Sequence, residues 1–265
     1  MCDGPGVADE PLARLVEPQF WDEEYIWANE RPPLRPDAEM PFDRVLMRAF
    51  ATWARPVDGE QVVELGCAPA KWLVHLAETY GARVEGVEYT TKGAEFSRAN
   101  LAACGVEGTI LEDDVFAMDA QPRDMVVSLG FIEHFDDLAA VFARHLDFVR
   151  PGGRLVVGVP NFRGINGFLQ RHGDRPYLEL HNTEAMRPRL YRRLAAEHGL
   201  ELLALRHIGG PDPVAVRSRR RLITALIMAE ARVRRLALTE RLDHGLWSSY
   251  LFSVYRRPAR SSQRS

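Results

Sequence analysis

Five short apolar runs of β-rich composition recur along the middle of this chain: 61–65 (QVVEL), 82–88 (ARVEGVE), 108–112 (GTILE), 124–129 (DMVVSL) and 154–159 (RLVVGV). Segments of helical period lie between them. KWLVHLAETYG sets Trp72, Leu73, Leu76 and Tyr80 on one face. KGAEFSRANLAACG does the same with Phe96, Ala99 and Leu101 to Cys104, and DLAAVFARHLDFVRPGG with Leu138, Val141, Phe142, Leu146 and Val149. Gly105 and Pro151-Gly152-Gly153 are expected to end the last two helices. Strand–helix alternation of this kind predicts a doubly wound parallel sheet that takes its ligands at the carboxyl ends of the strands. Two further strands are expected at 200–207 (LELLALRH) and 249–255 (SYLFSVY), with a long insert between them.

The first strand runs into Glu64-Leu-Gly-Cys-Ala-Pro-Ala70 and then Lys71, which opens a helix. Small residues at 66, 68 and 70 let a backbone turn approach a ligand closely. A nicotinamide turn of the form G-x-G-x-x-G would place its third glycine where Lys71 stands. A long side chain there spoils helix–strand packing and weighs against a dinucleotide. Glu88 closes the second strand, about twenty residues on, where an acid suits bidentate bonding to ribose hydroxyls. Asp113 and Asp114 follow the third strand, and SLGFIEHFDD follows the fourth.

Taken together, these segments resemble the class I S-adenosylmethionine-dependent methyltransferases of small-molecule type. The E-L-G-C-A-P-A turn is similar to that family's acid-x-G-x-G-x-G loop, with alanines at two glycine places. RPGGRLVVGVP is similar to its lead into strand five. The resemblance is close over residues 60–160 and looser over 17–258. It implies a Rossmann-like seven-stranded sheet whose last strand, 249–255, is antiparallel beside 200–207. It also implies S-adenosylmethionine as cofactor, held by Glu64, Gly66, Cys67 and Ala68 of the turn, by Glu88 and Tyr89, by Asp114 (with Asp113 as the alternative adenine acid) and Val115, and by Ser128 and Gly130.

The residues after the fourth strand narrow the class. Nucleic-acid amine methyltransferases carry (Asp/Asn)-Pro-Pro-(Tyr/Phe) there, and this chain has Ser128-Leu129-Gly130-Phe131. Metal-assisted relatives carry E-x-x-E-H, and here Gly130 replaces the first glutamate of GFIEH, so no metal is expected. His134 is a candidate general base because histidine ordinarily titrates near neutrality; shaping the cofactor pocket is the alternative. Past strand five, VPNFRGING and ELHNTEAM supply Asn161, His181 and Asn182. These stand either as acceptor-binding groups, with His181 as a second candidate catalyst, or as loop caps, with Thr183 expected to cap a helix.

Domain organisation is expected as loose ends at 1–17 and 258–265 around a single domain, 18–257. Within it, the resemblance implies that 18–58 is an N-terminal helical lid segment, with Trp21 and Tyr25 facing substrate; a helix packed on the outside of the sheet is the alternative. A core for S-adenosylmethionine spans 59–160. An acceptor-side region with a helical insert spans 161–248, and 249–257 holds the last strand. Residues 41–54 read as a helix. So do 218–242, whose apolar stripe is flanked by arginines: lid or packing, homodimer contact and membrane surface are the three readings, the last the least favoured.

The net charge of −3 provides no overall field for nucleic acid. Three cysteines without C-x-x-C spacing suit a reducing cytoplasm, and the N-terminus has no apolar signal region. The expected activity is methyl transfer to a small molecule at a hydroxyl oxygen. N-methylation of an amine, or a non-catalytic S-adenosylmethionine-binding role, remain the alternatives.

Overall fold

The computed structural model describes residues 12–24, 30–210 and 243–259, with Ala225 and Ala229 in between. Strands β1 (Gln61–Leu65), β2 (Arg83–Glu88), β3 (Gly108–Glu112), β4 (Arg123–Leu129), β5 (Val149–Pro160), β6 (Glu201–Ile208) and β7 (Tyr250–Arg256) form one sheet. Its order is β3-β2-β1-β4-β5-β7-β6. The pairs among β1 to β5 are parallel, and β7 runs antiparallel to both β5 and β6. The last strand is antiparallel and lies beside β6, as the resemblance implied, and it inserts between β5 and β6. Strand order reverses between β1 and β4, which places a crevice at their carboxyl ends.

Period-two alternation divides the core between the two faces of the sheet. On one face Val62, Met125, Val127, Val156 and Phe252 pack with α2 (Pro41–Trp53), α3 (Lys71–Tyr80) and α4 (Thr91–Cys104) through Leu46, Phe50, Trp72, Leu73 and Leu101. On the other, Val63, Leu65, Val126, Leu155, Val157 and Tyr255 pack with α5 (Leu138–Asp147) and α8 (Pro188–Glu197) through Val141, Phe142, Tyr191 and Leu194. Among the described residues no helix is long and apolar enough to cross a membrane. Of the helix expected at 218–242 only Ala225 and Ala229, both helical, are described, and the rest lies outside the described residues.

Three expectations need correction. The buried face of α4 is Gly93, Ala94, Ser97, Asn100 and Leu101, not Phe96 and Ala99. Asn100 can be buried because its amide donates to the carbonyls of Leu34 and Pro69 and accepts from the Leu34 N–H. Gly93 lets the first turn of the helix lie close to the end of β2: a Cβ there would lie 3.1 Å from the Glu88 carboxyl carbon and 2.5 Å from Thr90 Oγ1. Second, α5 ends at Asp147 and Val149 already pairs with Arg123, so Pro151-Gly152-Gly153 lies inside β5 instead of stopping a helix. Third, residues 12–17 are not loose. Arg14 bridges to Phe135, the Leu15 N–H donates to the His134 carbonyl at 2.9 Å, and Val16 is buried. Short α1 (Pro18–Glu24) continues from them.

His145 on α5 is fully buried; its Nδ1–H donates to the Val141 carbonyl at 2.7 Å, and Nε2 has no partner. Burial lowers its pKa from 6.5 to about 4. The unfolded chain takes up this proton below about 6.5 and the folded chain does not until about 4. Stability is therefore lost as pH falls through that window, by about 1.4 kcal/mol per pH unit from this residue. Urea unfolding of His145→Leu at pH 7 and pH 5 is expected to show a shallower acid loss than the parent, by about 2 kcal/mol. Equal losses would show that His145 is not the group responsible.

Candidate active site

The turn after β1 is pinned to β2: the N–H groups of Gly66 and Cys67 both donate to the Val87 carbonyl, at 2.8 and 3.2 Å. Gly66 has φ of +70°, and a Cβ on it would lie 2.6 Å from Phe131 Cδ2. Glu88, at the end of β2, is buried. Its Oε1 accepts from the Thr90 N–H (2.9 Å) and Oγ1 (2.7 Å), and its Oε2 from the Ala68 N–H (3.4 Å). Burial raises its pKa, and these hydrogen bonds oppose the rise.

Gly66, Ala68, Glu88, Tyr89, Asp114, Val115, Gly130 and Phe131 line a cleft of about 110 Å³. Arg14 fills part of it: its Nη2 lies 2.6 Å from both Asp114 oxygens, and its guanidinium lies over the Tyr89 ring at 4.4 Å. Asp113 lines no cavity and caps the Asp114 N–H at 2.7 Å, so Asp114 is the better placed of the pair.

Beside this cleft opens a larger cavity of about 640 Å³, and Trp21, Gly66, Ala68, Leu129, Gly130 and His134 border both. Glu64 and Cys67 face the larger cavity, not the cleft. Burial pushes the Glu64 carboxyl well up, and nearby Lys71 pulls it back. Lys71, the residue that broke the glycine pattern, reaches Asp43 on α2 at 2.7 Å and forms part of the cavity wall. Ser128 is fully buried, lines neither cavity, and its Oγ has no partner.

At the junction stand Glu133 and His134, on a 3₁₀ turn (Ile132–His134) after β4. His181 comes from a loop beyond α7 (Arg175–Glu179). The His134 Nδ1–H donates to the Leu180 carbonyl at 2.9 Å and the His181 Nδ1–H to the Tyr177 carbonyl at 2.8 Å; the two rings are 4.7 Å apart. Trp21 meets the His134 ring edge-on at 4.8 Å. Burial, and then the neighbouring His181, lowers the His134 pKa to about 3, while burial raises that of Glu133 to about 8. His134 is thus not a group that titrates near neutrality, because a buried imidazole loses the solvation its cation needs.

The two asparagines are structural. Asn161 is fully buried, donates to the carbonyls of Gly245 and Ser248, and accepts from the Arg163 N–H. Asn182 caps the turn Thr183–Met186, in the place expected for Thr183, and donates to the Phe135 and Asp136 carbonyls. Neither lines the cleft or the larger cavity. Asn182 instead ties the loop of His181 to the turn of Glu133, and its own N–H donates to the Glu133 carbonyl at 2.6 Å. Tyr25 lies outside the described residues.

Residues 37–205, more than half of the chain, match the family model described as a methyltransferase domain. The chain belongs to that methyltransferase-domain family. It is 27% identical over 132 residues to the O-methyltransferase cnsE of Penicillium expansum, a match spanning 48% of each chain. It is 26% identical over 101 residues to phosphoethanolamine N-methyltransferase 1 of Triticum aestivum, spanning 37% of this chain and 20% of that one. The matches thus span about half, or less, of the length of these relatives. In fold it is similar to the geranyl diphosphate C-methyltransferase of Streptomyces coelicolor A3(2), solved with Mg2+, geranyl diphosphate and S-adenosyl-L-homocysteine: the TM-score is 0.56 at 18% identity, covering 80% of this chain and 78% of that one.

Against this methyltransferase fold, sequence reading placed Gly66, Ala68, Glu88, Tyr89, Asp114, Val115 and Gly130 at the cleft, and Trp21, His134 and His181 at the cavity. It missed Arg14, Phe131, Phe135, Asp43 and Lys71. The last had a signal, a lone lysine inside a small-residue turn. Arg14 had none, because it lies in a segment without hydrophobic period.

Proposed function

We propose that the chain binds S-adenosylmethionine in the cleft and transfers its methyl group to a small molecule in the adjoining cavity, at a hydroxyl oxygen. The carrying observation is the shared border of the two spaces: a ligand seated over Gly66 and Ala68 abuts the larger cavity at Gly130 and His134. The turn suits such a ligand, since its small residues Gly66 and Ala68 lie on the cleft wall and let a ligand approach the backbone closely. Glu88 would take the ribose hydroxyls and Asp114 the adenine. When bound, this cofactor supplies an electrophilic methyl on a sulfonium. Trp21 at the junction and Phe131 in the cleft present apolar rings, which would limit water around a charged leaving group. Glu133, His134 and His181 form the polar floor that receives the acceptor, and imidazole lone pairs and a carboxylate suit a hydroxyl donor.

A second reading, N-methylation of an amine, is favoured by the acids on the cavity wall. Among the described residues of that wall, Glu30, Asp37 and Asp43 stand with Arg35 and Lys71, and the buried carboxyls of Glu64 and Glu133 lie beside them, a setting that a cationic group would suit. The similarity to both an O- and an N-methyltransferase leaves the two readings side by side.

Methyl-labelled S-adenosylmethionine, offered with panels of phenols, aliphatic alcohols and amines, is expected to give labelled ether and S-adenosylhomocysteine. Calorimetry is expected to show binding of S-adenosylhomocysteine and none of NAD. Binding of NAD without S-adenosylhomocysteine would overturn the assignment, and label on nitrogen alone would select the second reading.

A further inference from the structure

The three groups at the floor of the larger cavity come from two loops that sequence does not connect. Glu133, His134 and His181 are each buried, and each offers one ligand atom, all within 4.8 Å of one another. Glu133 Oε1 and His134 Nε2 are 3.9 Å apart. Around a tetrahedral ion with bonds of about 2.1 Å, donors stand about 3.4 Å apart. Side-chain movements of roughly 1 Å or less would close the cluster to that geometry.

Two independent observations set this cluster apart from a chance grouping. First, both imidazoles donate their Nδ1–H to a backbone carbonyl, of Leu180 and Tyr177. That fixes the tautomer, turns Nε2 into the lone-pair nitrogen, and is the arrangement metal-bound histidines almost always show. Second, Glu133 is 1% exposed, and its Oε2 has no hydrogen-bond partner. A buried carboxylate of this kind costs free energy unless a cation or proton satisfies it. The Lys and Arg side chains described on the cavity wall are already paired, Lys71 with Asp43 and Arg35 with Glu78.

We propose that Glu133, His134 and His181 hold one divalent transition-metal ion at the floor of the acceptor cavity, with an open coordination position for an oxygen of the acceptor. Two imidazoles and one carboxylate suit zinc or a neighbouring first-row ion over magnesium or calcium, which prefer all-oxygen shells. Three protein ligands leave at least one position vacant, the pattern of sites that bind substrate on the metal. A hydroxyl bound there would be held in place and made more acidic by the ion. The expectation of no metal rested on Gly130 standing in the place of a glutamate; the proposal has His181 take the place of that ligand. The inference rests on reading the larger cavity as the acceptor site.

The test uses the full chain without a histidine tag, stripped by chelator and titrated with Co2+ while visible absorption is followed, then with competing Zn2+. One equivalent is expected to bind with the spectrum of a site containing nitrogen ligands. Glu133→Gln and His181→Ala should each weaken it at least tenfold, while S-adenosylhomocysteine binding on the same samples stays intact as a control for folding. A protein that binds S-adenosylhomocysteine but takes up no Co2+, or whose two variants bind it as tightly as the parent, overturns the metal site. In that event, methyl transfer that persists in chelator leaves the proposed function standing. Loss of S-adenosylhomocysteine binding in the parent would instead sink the function while the Co2+ titration is judged separately.

Discussion

Replacing Glu88 by alanine is expected to weaken S-adenosylmethionine binding by about 1–3 kcal/mol, or about 5- to 150-fold. The carboxylate sits at the end of β2, buried, with Thr90 and Ala68 donating to its oxygens. Burial has already raised its pKa, so hydroxyl donors from a ligand would relieve a group that is short of solvation. Alanine removes that acceptor and also strands the Thr90 and Ala68 N–H groups, the second of which belongs to the cofactor turn itself. Glu88→Gln keeps the shape and one acceptor oxygen, so an intermediate loss is expected. Calorimetry with S-adenosylhomocysteine reads the effect, and thermal unfolding separates it from a folding defect. An affinity unchanged in Glu88→Ala would remove Glu88 from the site.

The parts of this molecule that sequence reveals are those governed by local pattern. Runs such as 61–65 and 108–112 become β1 and β3 with the same bounds, because alternation and β-branched residues act over a few neighbours. The face of α4 was misread because the pattern was followed through large apolar residues, while the helix meets its neighbours through Gly93, Ala94 and a hydrogen-bonded Asn100. Sequence could place Glu88 and Asp114 at strand ends, since topology alone fixes where strand ends gather. It could bring His134 and His181 together from adjacent strand ends, but it could not place Arg14 against Asp114 or give the backbone hydrogen bonds that orient the two imidazoles. Those pairings depend on loop paths set by Asn182 and by the short bridge of Arg14 to Phe135, neither of which has a periodic signature. The asparagines stood open between acceptor-binding groups and loop caps, because polar residues after strand five suit either use. Their amides are spent on orphaned loop carbonyls, a common use of asparagine in irregular backbone.

The turn after β1 offers the other large expected effect, and it explains the two alanines. Gly66→Ala places a side chain at φ of +70°, which costs about 1–2 kcal/mol in the left-handed region. Its Cβ would also stand 2.6 Å from Phe131 Cδ2. Phe131 has little room to yield, being packed against Phe116, Phe135 and His145. Overpacking of this sort adds about 1–3 kcal/mol. The melting temperature is expected to fall by on the order of 10 °C, and S-adenosylhomocysteine affinity at least tenfold, because both displaced groups line the cleft. Ala70→Gly is the counterpart. Ala70 already holds φ of 63°, alone among the described non-glycine residues in having positive φ, so glycine relieves about 1–2 kcal/mol. Against that stand about 0.4–1 kcal/mol of unfolded-state entropy and about 0.8 kcal/mol for a buried methyl, since Ala70 is fully buried in the core. The two sides nearly cancel, and a stability change within about 1 kcal/mol is expected. Alanine is thus tolerated at 70 because its methyl is packed, and at 68 because the backbone there is not left-handed. At 66 neither condition holds. Equal melting temperatures for parent and Gly66→Ala would mean that Phe131 does not seal this turn.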